Sequence, residues 1–330
     1  QLLAKWWQPN TDLILAKTWS QGFASAQRKR ANQRLSTHSA ERLHGPLDLL
    51  IANSIEYSGN HLRALALEQI VQQARDGKVT DRFYEHHLTH AAAACYSSPF
   101  TEAVCAVIDG YGEGIAHQFF HLQSGQLAPL KKESLVRGPK TASLGRFYAL
   151  LCDLCGFSAL HGEEWKVMGL SAYGSRNDQL YTLLKTLCAV DSLSLVHPVP
   201  EADALLRLIP HRRRANSSPE SVADLAHTGQ LVFTELLQNL LTNLYDLGLS
   251  ANLILTGGCA LNSACNGTIL RNTSFENLYV PPAPADDGNS IGAAFLSFWD
   301  DHPDYRLEPS FQDPYLGSVI EEDELQRCSG

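Results

Sequence analysis

Apolar and polar positions along this chain fall into blocks that read alternately as strands and helices. Residues 47–52, Leu-Asp-Leu-Leu-Ile-Ala, carry a buried-strand pattern, and a helical pattern follows over residues 58–75. Arg82-Phe-Tyr-Glu reads as a short strand, and an Ala-rich helix opens at His86. Residues 103–109 are β-branched and small, a strand that ends on Asp109-Gly110. Two apolar runs, 119–122 and 127–130, flank Ser124-Gly125 and predict a hairpin. Residues 143–156 are helical in period, and Gly169 and Gly174 bound a compact segment. Leu225, Leu231, Val232, Leu236, Leu240 and Leu244 recur at helical spacing within a long amphipathic helix over 221–247. Residues 252–256 form a buried strand that runs into Gly257-Gly258, with a helix expected over 260–270. Leu278-Tyr-Val is a further strand and 289–299 a further helix. This alternation predicts an α/β fold. The stretch up to Pro46 is aperiodic, and from His302 onward Pro303, Pro309 and Pro314 precede an acidic run.

Composition narrows the class. With 330 residues and 44% hydrophobic content the chain can bury a sizeable core, which excludes a disordered protein, and its length suits about two lobes. The net charge of −9 argues against nucleic acid as the main partner, because a phosphate backbone needs a basic face. The basic stretch 28–42 reads as a solvated segment, and 212–219 as an exposed loop. No run of about 18 apolar residues occurs, so no membrane span is expected. The start lacks an initiator Met and a signal-peptide layout, and Met168 is the single Met, so the chain is expected to be part of a longer polypeptide. Eight cysteines sit largely in apolar runs. Cys152 and Cys155 form a CxxC without a second one to complete a zinc site, so they read as helix packing. The chain is expected to be reduced and cytoplasmic.

Three constellations carry candidate chemistry. In Glu85-His-His-Leu-Thr-His90, His86 and His90 lie four apart on one helix face and can present two imidazoles to one cation, while His87 points about 100° away. Asp109 at a strand end, followed by Gly110-Tyr-Gly112-Glu-Gly, is placed to hold a carboxylate over a ligand. Asp286 and Asp287 precede a helix, where capping is the alternative role. A mixed His/carboxylate set suits iron, manganese or zinc better than magnesium. The second constellation is Thr256-Gly-Gly-Cys-Ala-Leu-Asn262, whose glycines suit either close backbone approach to a phosphate or a tight connection without ligand. The third is Gly162-Glu-Glu-Trp-Lys166-Val-Met-Gly-Leu, which reads either as a phosphate or ribose site or as a solvated Glu/Lys turn. No GxSxG elbow occurs, which disfavours a serine hydrolase of that type.

Taken in order, His86-His-Leu-Thr-His90-Ala-Ala, Ser98-Pro-Phe, Asp109-Gly-Tyr-Gly-Glu, Gly162-Glu-Glu-Trp-Lys-Val-Met-Gly-Leu, Gly257-Gly-Cys-Ala-Leu-Asn262 and residues 281–294 resemble the ATP-dependent O-carbamoyltransferase family of nodulation-factor and antibiotic-tailoring enzymes. The main domain of that family is similar to the tRNA threonylcarbamoyl-transfer protein and to a hydrogenase-maturation carbamoyltransferase. The resemblance spans about residues 83–299 and implies a duplicated α/β domain of the actin/sugar-kinase/Hsp70-like (ASKHA) type. It divides the chain into an irregular or incomplete part at 1–46, a carbamoyl-transfer domain in two lobes at 47–300, and a linker at 301–330 toward a YrdC-like adenylate-forming domain outside this sequence. A His-Asp-Ser-Ala-Ala type strand and a Glu-Glu-Arg segment open the family pattern, and neither is found before Leu47.

The resemblance also implies an activity. Carbamoyl phosphate and ATP would give carbamoyl-adenylate, and the main domain would pass the carbamoyl group to a hydroxyl of a small natural product, in secondary metabolism or antibiotic biosynthesis. By matching position the metal ligands are His86, His90, Asp109 and Asp286, with Fe2+ the typical ion; Gly257, Gly258 and Asn262 match the adenylate-binding turn. Gly110, Gly112 and Lys166 are the further candidate nucleotide contacts, and no catalytic base is assigned. The alternatives are a catalytically reduced nucleotide-binding protein of the same fold, or transfer to a macromolecule in tRNA or hydrogenase maturation.

Overall fold

In a computed structural model, residues 13–21, 79–130 and 141–304 are described. Two short parallel strands, β1 (Leu13–Lys17) and β2 (Val79–Phe83), lead into helix α1 (His86–Tyr96). Three strands follow in antiparallel succession: β3 (Glu102–Gly112), β4 (Ile115–Gln123) and β5 (Gln126–Pro129). Next come α2 (Leu144–Leu154), α3 (Glu164–Leu170), α4 (Asp178–Leu184), the hairpin β6 (Ala189–Asp191) and β7 (Ser194–Val196), α5 (Glu201–Leu208) and α6 (Ala223–Tyr245). The chain then re-enters the main sheet as β8 (Asn252–Thr256) and β9 (Asn277–Tyr279) and closes on α7 (Asn289–Asp301).

The main sheet has the order β5-β4-β3-β8-β9, with β8 and β9 parallel to β3. An antiparallel half built from hairpins, joined to a parallel half through a long helical crossover, makes a mixed α/β unit. Among the described residues it is the one sheet of more than two strands.

Strand β3 is central and buried on both faces, which is why it reads as an unbroken apolar run. Its side chains divide by parity. Val104, Ala106 and Ile108 join the larger core with Phe147, Leu151, Phe233 and Leu237 of α2 and α6. Ala103, Cys105 and Val107 join the smaller core with Ala91, Ala94 and Tyr96 of α1, against which Phe295 and Trp299 of α7 pack. Carried one step further, the period of two aims Asp109 at the α1/α7 side.

Local chemistry sets the boundaries. Glu85 caps α1 by accepting from Leu88 N at 2.7 Å. Ser124 and Gly125 both adopt left-handed backbone, φ 51° and 77°, and turn β4 into β5. Helices α1 and α7 cross closely at Gly292, where an added Cβ would lie 1.9 Å from the Thr89 carbonyl oxygen.

The expected elements at 103–109, 119–130, 143–156, 221–247, 252–256 and 289–299 are present within a few residues. The helix expected over 260–270 is not continuous: Gly258–Leu261, Ser263–Asn266 and Ile269–Asn272 are separate helical turns. Asn262 breaks the run by turning its side chain onto Cys265 N at 3.0 Å, a local cap that competes with helix propagation. Strand β1 lies in a stretch that reads as aperiodic, because its partner β2 is distant in sequence. Helix α3 occupies a segment legible as a turn, and α4, α5 and the β6/β7 hairpin carry no clear signal of their own. The stretch 212–219 is the largely exposed loop expected, and within it Arg213 donates to Gly156 O at 2.6 Å and lies over the Phe157 ring. Expectations at 28–42, 47–52, 58–75 and 305–330 lie outside the described residues.

Among the described residues seven cysteines are free and buried; Cys152 and Cys155 pack into the larger core, where burial pushes their thiols up to about 12. Among the described residues no helix is long and apolar enough to cross a membrane.

Two substitutions test this packing. Phe233→Ala empties a fully buried site beside Tyr148 and should lower unfolding stability by about 3–5 kcal/mol in denaturant titration. Gly292→Ala should cost about 3 kcal/mol because the obstacle is backbone. Gly267→Ala, whose added carbon meets Ser263 O at an ordinary 3.6 Å, should stay within about 0.5 kcal/mol of the parent.

Candidate metal centre

Three separate stretches meet at the end of β3. Helix α1 supplies His86 and His90, the strand end supplies Asp109, and the turn before α7 supplies Asp286. One ligand atom from each of the four lies within 4.8 Å of all the others. His90 Nε2 is 3.3 Å from His86 Nε2 and 3.2 Å from Asp286 Oδ1. His86 Nε2 is 3.3 Å from Asp109 Oδ2 and 3.4 Å from Asp286 Oδ1. His90 Nε2 and Asp109 Oδ2 are 4.0 Å apart.

Those spacings fit a shared cation. Two ligands each about 2.1 Å from one ion, at an angle near tetrahedral, lie roughly 3.3–3.5 Å apart. The tautomers agree as well. His90 Nδ1 faces the Pro284 carbonyl at 3.2 Å, so it carries the proton and leaves the Nε2 lone pair facing the other three groups. Three acceptors, His90 Nε2 and two carboxylate oxygens, thus converge with His86 on one point, and their mutual repulsion calls for positive charge there.

The protein's own titration answers that demand. Burial opposes charge on His86, but hydrogen bonds to Asp109 and Asp286 outweigh it and raise its pKa to about 9. Burial would likewise raise Asp109, yet its bond to His86 and the nearby His90 hold it below the ordinary value. Asp286 is lowered in the same way, burial opposing and the two histidines prevailing. His86, His90 and Asp109 are buried, whereas the Asp286 side chain is 69% exposed, so the cluster opens to solvent on the Asp286 side.

The surroundings fix each ligand. Gly112 has no Cβ because one would sit 2.3 Å from the His86 ring. Gly258 N donates to Asp109 Oδ1 at 3.1 Å and orients that carboxylate. The Trp19 ring stacks on His86 with centroids 4.2 Å apart. Glu113, in left-handed backbone at φ 49°, accepts from Ser20 N at 2.6 Å, Ser20 Oγ at 2.5 Å and His86 N at 3.2 Å, and so ties the segment after β1 to the start of α1. Asn289, at the start of α7, places Nδ2 3.2 Å from His90 Nε2.

The candidate nucleotide contacts fare differently. Gly257 adopts φ 90° with its would-be Cβ 2.3 Å from Ile108 O, and its amide donates to Pro284 O at 2.8 Å. Its glycine requirement therefore has a packing reason. Asn262 forms a reciprocal amide pair with Gln230, at 3.0 and 3.1 Å, and Gln230 also accepts from Tyr148 OH. Gly110 faces open space, with no atom within 4 Å of a would-be Cβ. Lys166 pairs with Glu163 and lies near the Phe157 ring. Asp287 is exposed and outside the four-residue cluster.

The quartet His86, His90, Asp109 and Asp286 is the set named from sequence, and the fold brings all four together. Trp19, Ser20, Glu113 and Asn289 carry no signal that isolates them, although Asn289 stands three residues after Asp286, one helical turn on.

Comparison with known proteins places the chain. A family model described as "Carbamoyltransferase N-terminus" matches residues 10–295, including the region ahead of Leu47. An uncharacterized protein of Synechocystis sp. is 33% identical over 263 residues, covering 74% of this chain and 41% of that protein. The nodulation protein NolNO of Sinorhizobium fredii is 28% identical over 286 residues, covering 81% of this chain and 40% of that protein. The chain thus spans about two fifths of the length of these relatives. Among solved structures, HypF of T. kodakarensis overlaps 72% of this chain and 39% of its own at 14% identity and a TM-score of 0.36. On the extent of the model match, this chain belongs to the carbamoyltransferase family defined by that N-terminal region.

Proposed function

We propose that this chain holds the transfer site of an O-carbamoyltransferase, which moves a carbamoyl group from carbamoyl-adenylate, made from carbamoyl phosphate and ATP, to a hydroxyl of a small-molecule acceptor. The observation that carries the reading is the convergence of two imidazoles and two carboxylates in a chain of the carbamoyltransferase family. The donor set is a good match to iron(II), manganese or zinc, and iron(II) is taken as the resident ion. A divalent cation held by His86, His90, Asp109 and Asp286 supplies Lewis acidity to a carbonyl oxygen.

The chain's own residues do the rest by placement. Buried His86, His90 and Asp109 close one side of the cluster and keep water from it, so donor and acceptor approach past exposed Asp286. The nucleotide is assigned to the turn of Gly257, Gly258 and Asn262 and to Gly110 and Gly112, where the space at Gly110 leaves room, with Lys166 as a phosphate contact. Gly258 N, bound to Asp109, couples that turn to the cation ligands. Because AMP is a good leaving group, most of the rate advantage comes from orienting the acceptor oxygen.

The test uses the full-length protein with carbamoyl phosphate, ATP, iron(II) and a panel of hydroxylated small molecules, read by mass spectrometry. A carbamoylated product with release of AMP is expected; nucleotide binding without any transfer overturns the reading. His86→Ala and Asp286→Ala should each strip the bound ion and lower transfer by about 100-fold or more. Full metal content in either variant contradicts the ligand assignment.

A further inference from the structure

Asn289 occupies the edge of the four-ligand cluster and is only 2% exposed. Its Nδ2 lies 3.2 Å from His90 Nε2 and 3.5 Å from Asp286 Oδ1, the same range that separates the four ligands from one another. Its Oδ1 is buried without a hydrogen-bond partner among the described residues. A buried amide oxygen left unpaired carries a desolvation penalty, so this arrangement calls for an explanation.

The contact that Nδ2 makes is incompatible with a loaded site. His90 Nδ1 already faces Pro284 O, so the Nε2 lone pair that accepts from Asn289 is the pair that would bind a cation. Once that pair is used, the Nδ2 donor keeps only its long 3.5 Å contact to Asp286 Oδ1, itself a cation ligand, and faces positive charge. The torsion that carries the amide is broad and roughly two-fold, and half a turn exchanges nitrogen and oxygen in place. The oxygen then stands where the nitrogen stands, between His90 and Asp286.

We infer that Asn289 is a fifth ligand of the centre, giving its amide oxygen to the cation alongside His86, His90, Asp109 and Asp286. The donor set then holds two nitrogens and three oxygens. This shifts preference from a four-coordinate zinc site toward five- or six-coordinate iron(II) or manganese(II). The inference rests on the metal-binding part of the proposed function and adds an amide oxygen to its imidazoles and carboxylates.

The test loads the intact protein with cobalt(II), follows its visible absorption, and measures affinity by competition with a chelator. Asn289→Leu removes the oxygen at similar volume and should weaken binding by about 10- to 100-fold, with stronger absorption as the coordination number falls. Asn289→Asp keeps an oxygen and removes the N–H donor, and it should bind within about threefold of the parent or more tightly, with an absorption of parental strength. Parental affinity and spectrum in Asn289→Leu overturn the inference while leaving the four-ligand centre standing. Loss of affinity in Asn289→Asp also overturns it, because the N–H donor is then what matters. Should Asn289→Leu fail to fold, Asn289→Asp decides alone. Absence of metal binding in the parent removes both this inference and the metal centre of the proposed function.

Discussion

Charge compensation at one point governs the rest of this molecule. Two carboxylates and two imidazoles are held with their ligand atoms within 4.8 Å, three of the four residues buried. In such surroundings unbalanced charge is expensive, so the cluster needs a positive partner. The raised pKa of His86 and the lowered values of Asp109 and Asp286 are the protein's response to that need. A cation meets the same need with four donor atoms instead of one proton. Polar side chains gathered this closely have no advantage for stability alone, since an apolar filling would serve the core better.

The scaffold makes the cluster reproducible. Strand β3 is clamped between β4 and β8, and its alternation sends apolar side chains to both cores before delivering Asp109 to the α1 face. Helix α1 is buried along nearly its whole length by alanines, which let it lie close to the sheet and to α7. Backbone approach at Gly292, ring clearance at Gly112 and the Gly258 amide on Asp109 are separate devices with one effect. Each removes a degree of freedom from a ligand. The Glu113 contacts add the strand β1 region, 93 residues away in sequence, to the same frame.

Much of this was legible in the residues. His86 and His90 share a face at helical spacing, Asp109 ends an apolar strand, and the ordered motifs supplied Asp286. The strands that build the sheet and the long α6 also follow directly from periodicity, because burial on two faces or along one stripe leaves a repeating apolar signature. The break at Asn262 was less legible: a side chain that caps locally in one context is tolerated in a helix in another. Strand β1 carries no local signal for a different reason, its five residues gaining strand character only through pairing with β2.

The sequence by itself determined which residue types were present, at which periods, and hence an α/β fold with a strand-end Asp, a His pair and a Gly-Gly turn. Those are local properties, set by side-chain shape and backbone preference within a few residues. Only the tertiary structure decided which groups share a site. It gave Gly257 a packing requirement against the Ile108 carbonyl, and it stood Asn289, unremarkable in sequence, against His90. Distances between positions some 200 residues apart depend on the crossing of α1 with α7 over the end of β3, and no local pattern encodes that crossing.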